Sequence, residues 1–399
     1  MGPRFGLQLR QLNSGEGRLR AASVSDYREL ARRRLPNIFF EYIDGGSYAE
    51  ATLARNVADI EAIALRQRVM RDMSQLDMTV TTLGQTLSMP VGLAPVGMAG
   101  MYARRGETQA ARAAAAAGIP MCLSTVSLCS VEEVAATGVA PWFQLYVLKD
   151  RGYMRELLSR AKAAGCPVLA FTVDLPVPGS RYRDIRSGFT GASGLSGALN
   201  TAWDGITHPA WLWDVWVNGR PHTLGSVAGA VKDSRSVTDY LSWIARNFDR
   251  TVTWKDLDWV RETWDGPIVV KGVLDVADAR DAVKAGAQGL VVSNHGGRQL
   301  DGVRSSISAL PKIAQAVGSD LEVYMDGGVR SGLDVLKALS LGAKACFVGR
   351  AWAYALGAGG EAQVAKMLAT LKSELAVAMI LTGCANVRDA GRDLLDLDS

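Results

Sequence analysis

Cysteine is scarce: five in 399 residues, none in a C-x-x-C pair. That excludes a disulfide scaffold and argues against a thiolate zinc site. Cys122, Cys129, Cys166, Cys346 and Cys384 sit in or beside apolar segments and read as reduced, buried thiols. No run of 18 apolar residues exists, so nothing is predicted to span a bilayer. No charged segment leads into an apolar core, so no secretory signal is expected. Charge of one sign is lacking too: 44 basic against 40 acidic residues leave +4, which gives no case for nucleic-acid binding. Glycine (42) and proline (13) follow no fixed period, which excludes a collagen-like or coiled-coil rod. At 48% hydrophobic and 21% charged residues, disorder over most of the chain is excluded.

One local imbalance stands out. The first 35 residues hold eight Arg against three acids. The segment reads first as a solvated tail and second as an arm that meets an anionic lipid surface. Residues 1–22 are therefore separated as a basic N-terminal arm.

From about 88 to 355 the chain repeats one theme: a short apolar run, then a helix-patterned stretch. The runs are MPVGLAPVG (89–97), PMCLSTVS (120–127), WFQLYV (142–147), PVLAFTVDLP (167–176), PIVVKGV (267–273), GLVVSNHG (289–296), EVYMDGGV (322–329) and AKACFVGR (343–350). Several intervening helices end in Gly, as a C-terminal cap does. Continuous apolar strands alternating with helices predict parallel strands buried on both faces. Eight of them predict an α/β chain closed as a (β/α)8 TIM barrel, ahead of an open doubly wound sheet. No G-x-G-x-x-G follows the first strand, which counts against a dinucleotide-binding Rossmann unit.

The barrel domain is expected over 23–386, with 387–399 as a C-terminal tail. Residues 23–75 read as helical and precede the barrel. Residues 178–250 form a long insertion after the fourth strand, rich in Gly, Ser and Trp. It holds five of the ten Trp: Trp203, Trp211, Trp213, Trp216 and Trp243. Segments of this length are commonly lids, binding loops or linkers. Trp also favours the water–lipid boundary. Lid and membrane-surface loop both stand.

Barrel chemistry sits at the C-terminal strand ends. His208 and His222 fall in the insertion and default to structural roles. His295 ends the sixth run in SNHGGRQLDG, flanked by glycines. A general base needs its ring held and its charged form stabilised. Asp174, ending FTVD, is the candidate partner. Arg181 and Arg298 fall in strand-end loops, where two guanidinium groups would accept a carboxylate between them. MDGGVRSG (325–332) and FVGRA (347–351) are strand, Gly-rich turn and helix start, the pattern that binds phosphate in barrels. Lys271 is an inward Lys that could form a Schiff base or act as a fixed charge.

This set resembles the FMN-dependent L-2-hydroxy acid oxidases and dehydrogenases. SNHGGRQLDG carries the likeness most specifically. LPNIFFEYIDGG, LAPVGMAG, WFQLY, FTVD, VVKG, DGGVRSG and GR follow in family order, from about Asp26 to the C-terminal region. APVGMAGMYARRGE, PGSRYRD and THPAWLWDVWVNGRPH are most similar to the bacterial respiratory L-lactate-oxidising branch. The resemblance implies FMN at the barrel rim and oxidation of L-lactate, or a related L-2-hydroxy acid, to the 2-oxo acid. It implies His295 as base, Asp174 as its partner, and Arg181 and Arg298 on the substrate carboxylate. Tyr42 and Tyr146 would contact substrate. Pro95, Val96 and Gly97 would line the flavin N5 side. Ser124, Gln144, Thr172 and Ser293 would bond the flavin or its ribityl chain, and Lys271 would lie near flavin N1. Asp326, Gly327, Gly328, Arg330, Gly349 and Arg350 would hold the ribityl and phosphate end. It further implies a homo-oligomer and a peripheral site on the cytoplasmic face of the bacterial inner membrane, with a quinone as electron acceptor. Gly97, where family oxidases commonly carry Ala, supports the quinone over oxygen. Val126 and Gly97 are expected to leave room for a larger side chain, so L-mandelate is an alternative substrate. FMN-dependent barrel isomerases form a different alternative class.

Overall fold

The computed structural model describes residues 20–189, 203–230 and 237–396. Most of the basic arm (1–19) and part of the insertion therefore lie outside the described residues. The eight apolar runs form eight strands: β1 (Val91–Leu93), β2 (Cys122–Ser124), β3 (Trp142–Tyr146), β4 (Leu169–Thr172), β5 (Ile268–Val273), β6 (Gly289–Val292), β7 (Glu322–Asp326) and β8 (Ala345–Val348). They pair in parallel in the order β1-β8-β7-β6-β5-β4-β3-β2. Leu93 bridges Met121 in parallel, and its N–H donates to the Pro120 carbonyl at 2.9 Å, which closes the barrel.

Each strand is short and nearly all its residues are buried, because helices cover the outside and side chains fill the inside. Inside, Trp142, Tyr324 and Phe347 pack as tilted and edge-to-face rings 5.2–6.1 Å apart. A hairpin of Val80–Thr82 and Gln85–Leu87 caps the N-terminal mouth. There Thr82 bonds Glu322 and Tyr324, and Gln85 accepts the Trp142 indole N–H at 3.1 Å. These contacts close that end, and the C-terminal rim is where a cavity opens.

Among the described residues three helices precede the barrel: α1 (Val24–Arg34), α2 (Asn37–Asp44) and α3 (Ala51–Glu61). Ser23 and Asp26 form a reciprocal cap at the start of α1. The helical expectation for 23–75 fails after Glu61. Beyond it the N–H groups of Arg66, Arg68 and Asp77 donate to carbonyls of Leu394, Leu381 and Ala385, so the chain is held extended. Ala64–Leu65 pairs antiparallel with Leu395–Asp396. Residues 387–396 of the C-terminal tail thus lie against the body of the protein, with Leu394 and Leu395 buried. All five cysteines are buried and free.

The insertion is more helical than its composition suggests. It carries Tyr182–Arg186, Pro209–Trp211, a π-helical turn Leu212–Val217 and Val237–Asn247. Trp211 is buried, its indole N–H donating to the Met101 carbonyl at 2.7 Å. Trp203 and Trp213 are 69% and 68% exposed.

The helix Gly332–Ser340 after β7 starts against the long C-terminal helix Glu361–Thr382. A Cβ on Gly332 would lie 2.1 Å from the Leu375 backbone nitrogen. Gly332→Ala is expected to cost about 3 kcal/mol, since neither backbone can move alone. Urea unfolding of the variant checks this, and an unchanged midpoint would refute the close contact.

Candidate active site

Every sequence-predicted site residue falls at the C-terminal rim or on the strands beneath it. A cavity of about 350 Å³ opens there, within the usual size range of small-molecule sites. Its wall includes Tyr42, Pro95, Val96, Gly97, Tyr146, Thr172, Arg181, Lys271, His295 and Arg298. Asp326, Gly327, Gly328, Arg330, Gly349 and Arg350 complete one end. Asp174, Ser124, Gln144 and Ser293 do not line the wall. They instead contact residues that do or lie beside them.

His295 lies three residues past β6 rather than on it. Its backbone is left-handed (φ 57°), and Gly296 and Gly297 follow with φ of 64° and 74°. Such a turn turns the imidazole back over the barrel mouth, and a bulkier neighbour would resist it. Asn294 anchors the turn through a reciprocal amide pair with Asn56 on α3 (2.8 and 2.7 Å). Its side-chain oxygen also accepts the Gly297 N–H at 3.0 Å. The sequence reading missed this pair, because nothing local links residue 56 to residue 294.

His295 Nδ1 is 2.9 Å from Asp174 Oδ1, and Nε2 is 3.4 Å from the Tyr146 hydroxyl. Burial pushes His295 below its ordinary value, and Asp174 offsets only part of this. Burial works against the Asp174 charge, but His295 and then Lys271 outweigh it and hold that carboxyl below its ordinary value. The resting pair is therefore a neutral imidazole beside a carboxylate. Nδ1–H donates to Asp174, which leaves the Nε2 lone pair free.

A base of this kind fails when protonated. The acid limb of kcat/KM is expected to fall with a midpoint below 6.5, the ordinary His value. Asp174→Asn removes the group that raises the His295 pKa, so the limb should move further to acid while the rate falls. A limb that moves to alkaline pH in this variant would contradict the arrangement.

The two arginines meet as expected. Arg298 donates to the carbonyls of Tyr42 (2.6 Å) and Gly45 (2.7 Å), with its guanidinium 4.7 Å from the Tyr42 ring centre. Among the described residues, Arg181 makes a 3.4 Å bond to the Arg298 carbonyl, a 3.8 Å approach to Asp184 and a 5.9 Å approach to the Tyr42 ring centre. Burial, then the charge of Arg298, pushes Arg181 below its ordinary value. Like charges held together in a buried wall leave an unmet demand for an anion. Asp184, which the sequence reading missed, is buried beside them, and burial raises its pKa.

Lys271 is buried, 2.9 Å from Asp326 and 3.0 Å from Ser293 Oγ. Burial opposes its charge, but Asp326 and Asp174 outweigh that and raise its pKa. Held by these carboxylates, Lys271 is a charged ammonium rather than the free amine a Schiff base needs. Arg350 donates to the carbonyls of Ile43, Gly296 and Gly45 at 2.7–3.0 Å. Burial, then Arg298 and Arg330, push it down to about 9 despite nearby Tyr354. Arg330 itself donates to the Val329 carbonyl at 2.8 Å.

Ser124 donates to Gln144 Oε1 at 3.2 Å, while Gln144 Nε2 has no partner among the described residues. Thr172 Oγ1 and Asp326 Oδ1 are likewise buried without partners among them. Gly97 and Val126 both line the cavity. A Cβ on Gly97 would lie 2.7 Å from Val126 Cγ2 and 3.4 Å from the Tyr42 hydroxyl, so a larger residue there would have to displace Val126. The same cavity has an apolar wall of Leu175, Phe189, Ile244 and Phe248. Ile244 and Phe248 come from the end of the insertion, one helical turn apart, and Phe248 meets the Tyr146 ring edge-on at 5.6 Å.

The family described as FMN-dependent dehydrogenase matches residues 31–397. Among solved structures, the chain is similar to the monotopic membrane protein (S)-mandelate dehydrogenase. The identity is 33%, covering 94% of this chain and 99% of that one, with a TM-score of 0.88. It is also similar to a mandelate oxidase determined with (S)-4-hydroxymandelic acid. Here the identity is 39%, the coverage 94% and 98%, and the TM-score 0.81.

Proposed function

We propose that this chain, which belongs to the FMN-dependent dehydrogenase family, oxidises L-lactate to pyruvate and passes the electrons to a membrane quinone. The reading rests on its membership of a family of FMN-dependent 2-hydroxy acid oxidising enzymes. The observation that carries it is His295, held by Asp174 at 2.9 Å, facing one cavity with Arg181 and Arg298.

The residues fit FMN. Orphaned polar atoms on Gln144, Thr172 and Asp326 are costly unless a polar group meets them. Gly327, Gly328 and Gly349 line one end of the cavity, and Arg330 and Arg350 supply positive charge there. These residues would hold the ribityl and phosphate portion, with Pro95 to Gly97, Ser124, Ser293 and Lys271 around the ring. Bound FMN supplies the two-electron acceptor.

The chain's own residues do the rest. Arg181 and Arg298 take the substrate carboxylate between them and fix the carbinol carbon by orientation. His295 Nε2 accepts the hydroxyl proton. Asp174 stabilises the imidazolium that results, and Tyr146 contributes a hydroxyl 3.4 Å from the same nitrogen. Lys271 holds a permanent positive charge in the cavity wall.

A second reading is an aromatic 2-hydroxy acid such as L-mandelate. Its support is the apolar wall of Leu175, Phe189, Ile244 and Phe248, and the likeness to mandelate enzymes. Membrane attachment is part of the proposal. Trp203, Ile206, Trp213, Trp216 and Val217 expose apolar surface on the insertion, and one similar structure is monotopic. Among the described residues no helix is long and apolar enough to cross a membrane.

Anaerobic titration of the yellow holoenzyme with L-lactate, L-mandelate and glycolate tests the substrate. Bleaching by L-lactate is expected. Bleaching by L-mandelate alone would move the assignment to the second reading, and bleaching by none would reject both. Steady-state rates with a quinone analogue and with oxygen test the acceptor; a fast peroxide-forming oxygen reaction would overturn the quinone.

A further inference from the structure

A second cavity, of about 570 Å³, lies outside the active site. Its wall carries four arginines: Arg34 from α1, Arg104 and Arg105 from the turn after β1, and Arg112 from the helix Gly106–Ala116. Only Asp214 and Glu361 oppose them in the lining, so positive charge is in excess.

The four arginines divide into two pairs. Arg34 and Arg105 hold the insertion. Arg34 donates to Asp214 at 2.8 Å and to the Tyr102 and Gly357 carbonyls, each at 3.0 Å. Arg105 pairs with Glu133 and donates to the Pro221 carbonyl at 3.0 Å. Arg104 and Arg112 are looser, with side chains 56% and 43% exposed. The Arg104 guanidinium stays 3.9 Å from Asp214, whose carboxylate accepts the Arg104 backbone N–H at 3.5 Å, and Arg112 meets the half-exposed Glu361 through Nε and Nη2 at 2.8 and 2.7 Å.

The position of the cavity gives this charge a meaning. Asp214 sits in the π-helical turn Leu212–Val217, whose Trp213, Trp216 and Val217 are exposed. Trp203 and Ile206 are exposed a few residues earlier. An apolar knob and a basic cavity thus share one short segment. Apolar side chains that enter the acyl boundary bring anionic phosphates to the level of flanking guanidinium groups.

We propose that this cavity binds the phosphate of an anionic phospholipid headgroup, with Arg104 and Arg112 as the ligand-facing groups. The proposal rests on the membrane reading above and adds lipid selectivity to it.

The test is partition of the holoenzyme onto sedimented vesicles, either pure phosphatidylcholine or with about one-third phosphatidylglycerol. The variant is Arg104→Gln with Arg112→Gln, which leaves the Arg34–Asp214 and Arg105–Pro221 contacts in place. An unchanged flavin spectrum and lactate turnover show that it is folded. Wild type is expected to prefer the phosphatidylglycerol vesicles by at least about tenfold, and the variant to lose most of that preference. The variant's binding to pure phosphatidylcholine should be unchanged, because the Trp knob is intact. A preference that survives in the variant would overturn the headgroup site and leave membrane attachment standing. Wild type that binds neither vesicle would reject membrane attachment itself, and the site with it. Binding of inorganic phosphate by the wild type without any vesicle preference would make this a soluble-anion site and overturn the lipid assignment.

Discussion

Replacing His295 with Gln is expected to slow flavin reduction by substrate about a thousandfold or more while leaving FMN bound. Gln keeps a polar side chain of similar reach, but it cannot accept the hydroxyl proton. It also cannot become the cation that Asp174 is placed to stabilise at 2.9 Å. Retention of the cofactor is expected because its would-be contacts are other residues: Lys271, Asp326, Arg330 and the glycines around them. Anaerobic stopped-flow with L-lactate, and with L-mandelate if that proves the substrate, measures the rate. The resting absorbance spectrum checks the bound flavin. Normal bleaching in the variant would remove His295 from the mechanism. Loss of the yellow colour would show that the residue serves binding instead.

Arg181→Met is expected to lower kcat/KM about 100-fold or more, mainly through KM. Arg181 is buried in the wall beside a second guanidinium, with weak protein contacts of its own. Its main favourable partner is therefore expected to be the substrate carboxylate. Met occupies similar volume without charge, and Arg298 is then relieved of a like neighbour. Unfolding free energy should accordingly change by no more than about 1 kcal/mol, because removing an ill-compensated buried charge is nearly neutral. A large fall in stability with KM unchanged would recast Arg181 as a structural group paired with Asp184. The matching change at Arg298 is less clean, since that side chain also ties the carbonyls of Tyr42 and Gly45.

The two arginines illustrate how the site is divided between sequence and fold. Arg181 and Arg298 are 117 residues apart. Each is predictable alone from its place just after a strand. Their repulsion, and with it the demand for an anion, exists only once the barrel brings β4 and β6 to the same rim. Arg350 shows the opposite case. Its motif reads as a phosphate contact, yet much of the guanidinium is spent on the carbonyls of Ile43, Gly45 and Gly296. Its charge reaches the cavity, while its donors partly serve α2.

The cavity's apolar wall shows where local reading runs out. Gly97 and Val126 line the cavity, and a Cβ on Gly97 would meet Val126. Ile244 and Phe248, far along the insertion, add to that wall. Composition marked that segment as irregular. The backbone pairing of Leu148 with Phe248 sets its end against β3, a contact no local pattern encodes.

The chain's own pattern determined the alternation of eight buried strands with helices, because burial on both faces requires continuous apolar runs. It also determined which strand ends carry ionisable side chains, since position along a run fixes the rim. Only the folded barrel decided which of those groups touch. The Asp174–His295 pair, the Asn56–Asn294 clamp and the close approach of Val126 to Gly97 depend on distances between segments remote in sequence. Closure of the barrel sets those distances, and burial then sets the charge each group carries.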